Sequence, residues 1–101
     1  MDFLVRTEFS RPTAMSNREL DQLRRHEAAQ ARALQQAGTI RQLWREAGTT
    51  VAWGIWEAPS EDAVRASVNS LPLSKWMSID VHHVINHPNA QIRQHSPGRP
   101  Q

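Results

Sequence analysis

The sequence predicts an α+β fold in which a four-stranded antiparallel sheet carries two helices on one face. Three observations point there. The chain opens on a segment of period-two hydrophobicity, a long amphipathic stretch with start and stop signals follows, and the remaining segments complete the order strand, helix, strand, strand, helix, strand. At 101 residues and 39% hydrophobic content the chain supports one domain with a modest core, and so little apolar material makes self-association an early expectation.

The first strand is read from Phe3, Val5, Thr7 and Phe9, which alternate with Leu4, Arg6, Glu8 and Ser10 until Pro12 ends the run. Ser16 with Glu19 three residues later forms a capping box, in which hydroxyl and carboxylate each satisfy an amide that the first helical turn leaves unpaired. At the far end Gly38 can adopt the left-handed conformation that stops a helix, which sets the first helix at about Asn17 to Ala37. TIRQLWRE and TTVAWGIWEA are rich in β-formers and flank Ala47-Gly48, the turn of a hairpin. Their apolar residues fall on both parities, so both sheet faces should be covered, one by the helices and the other by a second subunit. Ser60 caps a second helix whose first turn carries Glu61 and Asp62 against the positive end of the helix dipole, with Val64, Val68 and Leu71 as its buried stripe before Pro72. A last strand from about Trp76 places Met77, Ile79, Val81, His83 and Ile85 on one side. This order is the ferredoxin-like or split βαβ arrangement. The domain is expected over 1–88, and 89–101, polar and rich in proline, as a tail or an oligomerisation arm.

Composition removes several classes of function. Twelve Lys and Arg against ten Asp and Glu leave a formal charge of +2, and the two signs are interspersed, so no basic stripe for nucleic acid is expected. With no cysteine there are no disulfides, thiolate metal sites or cysteine nucleophiles, and no apolar run suits a signal peptide or a membrane span, which makes the cytoplasm the expected compartment. The histidines of HHVINH lack the spaced carboxylates of a tetrahedral set, so no metal is expected. Neither a phosphate-cradling glycine loop nor a nucleophile elbow is present.

One residue breaks the apolar pattern. Leu20, Leu23, Glu27, Ala31 and Leu34 follow helical spacing, which aims the Glu27 carboxylate at the sheet or at the rim of the space beneath the helix. The usual relief for a carboxylate buried there is a raised pKa, an arginine partner or both, and a raised pKa suits it to moving protons on and off carbon near neutral pH; the plainer readings are an ion pair with Arg41 or Arg45, or escape to solvent at the stripe's edge. Arg41 and Arg45 share parity with Leu43, so they could present forks to an anionic substrate or simply be solvated. Trp44, Trp53, Trp56 and Trp76, all in expected strands, suit either a pocket wall or interface filling.

From Phe3 to His87-Pro88 the chain resembles the muconolactone delta-isomerase family. The resemblance is carried by Glu27, Gly38, RQLWR at Arg41 to Arg45 with Gly48 after it, LPL at Leu71 to Leu73, Met77 and the terminal His-Pro. It implies a ferredoxin-like subunit assembling as a dimeric α+β barrel and then a larger ring, up to a decamer. It also implies a cofactor-free site near a subunit boundary, a small lactone substrate, and a role in aromatic catabolism through the 3-oxoadipate route. By the same resemblance Glu27 would carry the proton, Arg41 and Arg45 would hold the substrate carboxylate, and Trp53 and Trp76 would shape the ring site. Departures are Ala52 where that family usually has asparagine, Gly54 where serine is common, and SKWM in place of an aromatic-proline-aromatic run. Two other functions share the predicted subunit: a cofactor-free monooxygenase or lyase acting on an aromatic or polyketide-like ring, and a non-catalytic ligand-binding or assembly module.

Overall fold

The computed structural model describes residues 1–91, and the order of elements is the one expected, β1 (Asp2–Phe9), α1 (Asn17–Gln36), β2 (Ile40–Arg45), β3 (Val51–Glu57), α2 (Glu61–Asn69) and β4 (Met77–Val84). Most of the expected 89–101 tail, from residue 92 onward, lies outside the described residues. All strand pairs are antiparallel, in the order β2-β3-β1-β4, so β2 and β4 form the edges. A feature the sequence reading did not contain, a 3-10 turn over Pro72–Trp76, lies between α2 and β4.

Local chemistry sets both ends of α1. The Ser16 hydroxyl accepts from the Glu19 amide at 3.1 Å while the Glu19 carboxylate accepts from the Ser16 amide at 3.2 Å, which closes the capping box. At the exit Gly38 takes φ +81°, which lets Thr39 N–H reach the Leu34 carbonyl at 2.9 Å and Gly38 N–H the Gln35 carbonyl at 3.0 Å. Those two bonds are the Schellman arrangement, and they turn the chain straight into β2.

Phe3, Val5 and Thr7 of β1 are buried beneath the helices, and Phe3, Val5, Ile40, Trp56, Val64, Val68 and Leu71 form one core. Among the described residues no layer covers the opposite face. There Arg6 pairs across the sheet with Trp53 and Asp80, Leu4 with Ile55, and Trp44 with Trp53, since cross-strand partners share a face. Trp44 remains 51% exposed on it. Among the described residues no helix is long and apolar enough to cross a membrane.

Candidate active site

A cavity of about 360 Å³ opens between α1, the sheet and the 3-10 turn, within the range of small-molecule sites. Most of its wall is apolar, including Val5, Ile40, Leu43, Trp56, Leu71 and Leu73, and its charged lining consists of Glu27, Arg24 and Arg45.

Glu27 is half-buried on the inner stripe of α1. Its Oε1 accepts a 2.9 Å hydrogen bond from Leu73 N–H. That donor is available for a reason visible in the sequence. Pro72, with φ fixed by its ring and no N–H, starts the 3-10 turn, and the next amide belongs to the first turn, where no intrahelical acceptor exists. Burial pushes the Glu27 carboxyl above its ordinary value, and the bond from Leu73 pulls weakly the other way. Among the described residues no arginine pairs with Glu27 and its Oε2 makes no hydrogen bond, so the ion pair considered from the sequence is absent.

The arginines separate. Arg45 lines the cavity opposite Ala52. Arg41 does not, and the reason is a register shift: Ile40 pairs with Trp56 but Gln42 with Ile55, leaving Arg41 as the extra residue of a bulge. The bulge puts Ile40 on the same side as Leu43 and Arg45, so the shared parity expected of Arg41 is lost. Arg41 instead pairs with Asp2 at 3.2 Å. Arg24, one turn before Glu27 on α1, supplies the second cation of the cavity and was not singled out from the sequence, although the three-residue spacing to Glu27 was there to be read. Among the described residues neither Arg24 nor Arg45 forms an ion pair.

The tryptophans separate too. Trp53 borders the cavity through its strand, yet it pairs with Arg6 on the open face, where the Arg6 guanidinium lies 5.7 Å from its ring centre and its Nε1 donates to Glu46 at 3.2 Å. Trp76 ends the 3-10 turn rather than opening β4, its carbonyl accepts from Ser10 N–H at 2.9 Å, and it is not among the residues lining the cavity. Trp56, which the sequence left undifferentiated from the others, is 2% exposed and forms part of the cavity floor. Among the described residues no group of three or more His, Cys, Asp or Glu side chains could hold a metal ion.

A family model described as Muconolactone delta-isomerase matches residues 1–90. Muconolactone Delta-isomerase of Pseudomonas aeruginosa is 30% identical over 90 residues, spanning 89% of this chain and 94% of that protein, and its namesake from Pseudomonas putida is 32% identical over the same shares. A crystal structure of muconolactone isomerase superposes with a TM-score of 0.83 at 32% identity, covering 93% of this chain and 98% of that one. Sequence and architecture agree over nearly the whole chain, and the chain belongs to the muconolactone delta-isomerase family.

Proposed function

We propose that the protein is a cofactor-independent isomerase that moves a double bond within an unsaturated lactone bearing an acid side chain, with Glu27 carrying the proton. The observation that supports this most is the state of Glu27: one oxygen tethered to Leu73 N–H, the other unpaired, in an apolar cavity that raises its pKa. A carboxylate in that condition is a stronger base than in water and is matched to proton transfer near neutral pH.

In the reaction Glu27 Oε2 takes a proton from a ring carbon, and the C–H electrons shift through the conjugated system onto the lactone carbonyl oxygen to give a dienolate. The same oxygen then returns the proton two carbons away, so the double bond moves and no atom is gained or lost. Arg45, with Arg24 across the cavity, is suited to hold the substrate carboxylate, because both line the cavity and among the described residues neither is committed to a protein anion. Arg41, engaged by Asp2, has a structural part in this scheme. The apolar side chains on the open sheet face, Leu4, Trp44, Trp53 and Ile55, suit a second copy of the chain, giving a dimer or a larger assembly.

The test is solvent exchange. Purified protein in deuterium oxide is mixed with a butenolide carrying a carboxymethyl arm, and ring deuteration with double-bond migration is followed by NMR. Wash-in that tracks turnover supports the reading. Oxygen consumption with a hydroquinone, and no exchange into the lactone, would replace it with the monooxygenase alternative.

A further inference from the structure

The cavity floor contains a polar group that the proposed chemistry has not used. Gly54 and Trp56 both face the cavity from β3, and an ideal Cβ built on Gly54 would lie 2.8 Å from Trp56 Nε1 and 3.2 Å from its Cδ1. The Nε1–Cδ1 edge of the indole therefore lies against residue 54, with the Gln42 carbonyl oxygen 3.0 Å from the same point, in space that glycine leaves open. The ring is nearly all buried, at 2% exposure, and packs in the core beside Phe3 and Val64. Its position is fixed by packing rather than by a hydrogen bond: among the described residues the Trp53 indole N–H reaches Glu46, whereas that of Trp56 has no protein acceptor. Nor is that nitrogen sealed off, because among the described residues no fully buried side-chain nitrogen or oxygen lacks a partner. Trp56 itself is one of the residues that line the cavity.

We infer that the Trp56 indole N–H is a substrate-binding donor, aimed at a carbonyl oxygen of the ligand and made possible by Gly54. An unpaired N–H held rigidly in an apolar wall lacks water's competition and needs no reorganisation to meet an acceptor. In the isomerase reading, on which the identity of the ligand rests, that acceptor is the lactone carbonyl oxygen. It becomes negative as the ring C–H electrons move onto it, so the donor strengthens in the transition state. Arg24 and Arg45 then take the carboxylate arm, and the two oxygen functions of one substrate are held by different groups. Because the donor depends on a tryptophan lying over a glycine, it also sets specificity: ligands without an oxygen at that point leave the N–H unpaired, which is costly in an apolar site.

The experiment avoids turnover. Calorimetry compares two inert probes, the saturated γ-lactone with an acetic acid arm (5-oxotetrahydrofuran-2-acetate) and tetrahydrofuran-2-acetate, which lacks only the carbonyl oxygen. Wild-type protein should bind the lactone on the order of ten-fold more tightly than the ether. Trp56→Phe should bring the two within about two-fold by weakening the lactone alone, which is the pattern for a lost N–H rather than lost shape. No preference in the wild type, or a preference kept by Trp56→Phe, overturns the assignment. Should Trp56→Phe fail to fold, the wild-type indole ¹⁵N–¹H spectrum, assigned with Trp44→Phe, Trp53→Phe and Trp76→Phe, decides it. The remaining resonance should move downfield with the lactone and not with the ether, and an equal response to both refutes it. Lactone preference without deuterium wash-in would sink the isomerase reading and leave the donor standing. Wash-in without the preference would do the reverse.

Discussion

Glu27→Gln separates the chemical role proposed for this residue from its structural one. The amide is nearly isosteric, and its oxygen can still accept from Leu73 N–H, now 2.9 Å from Glu27 Oε1. A hydrogen bond to a charged acceptor contributes about 1.5–3 kcal/mol and one to a neutral acceptor about 0.5–1.5 kcal/mol, so the tether weakens by roughly 1 kcal/mol. Against this, the variant no longer buries a charge. Desolvation is the larger of the two influences on the Glu27 carboxyl and the Leu73 bond the smaller, so relief of burial wins and Glu27→Gln should be at least as stable as wild type at neutral pH. The pH dependence follows with a definite sign. A carboxyl whose folded pKa is raised binds more protons folded than unfolded between its ordinary and its raised pKa, so its contribution to stability falls as pH rises through that window. The advantage of Gln over Glu should therefore be present above the window and vanish below the ordinary carboxylate pKa, in urea melts taken across pH. Turnover moves the other way. General base catalysis contributes about 10²–10⁴-fold, and among the described residues the other charged groups lining the cavity are two arginines that cannot accept a proton, so the loss should lie near the upper end of that range. In wild type the acid limb of kcat/KM should fall above the ordinary carboxylate range. Activity in Glu27→Gln within a few-fold of wild type, or a variant clearly less stable at pH 7, would refute the reasoning.

Arg45→Ala and Arg24→Ala should each raise KM for an acid-bearing lactone by about 10-fold or more, whereas Arg41→Ala, which loses an exposed pair to Asp2, should leave KM unchanged; steady-state kinetics with the three variants checks the split. Gly38→Ala meets no atom within 4 Å of the new Cβ, so its cost is that of φ +81° alone, about 1–2 kcal/mol in a denaturant titration, with kcat retained. Trp44→Ser removes an indole that is 51% exposed on the open sheet face and should weaken self-association in sedimentation velocity while leaving the monomer fold, read by circular dichroism, intact.

Where these predictions could be drawn from sequence, and where they needed the structure, follows from the range of the interactions involved. The capping box of Ser16 and Glu19, the stop at Gly38 and the stripe carrying Glu27 depend on residues within a few positions of each other, and all were legible. The alternation of β1 was legible for the same reason, since a strand buried on one side must alternate. The site is different. The face that Arg41 presents depends on a bulge, which inverts parity between Ile40 and Gln42, and nothing in IRQLWR marks a one-residue insertion in the ladder. The partner of Glu27 is a backbone amide 46 positions away, invisible to any argument from side-chain types. One local signal for it existed in Leu71-Pro72-Leu73. The proline both begins a tight turn and lacks an N–H, so the following amide must look outside its own turn for an acceptor, and a half-buried carboxylate must look for a donor. Each group was readable alone, and only the packing of α1 against the 3-10 turn brings them together. The same holds for Trp56: its apolar neighbours place it in the core, but the place of its Nε1 edge in the cavity wall depends on Gly54 having no Cβ there.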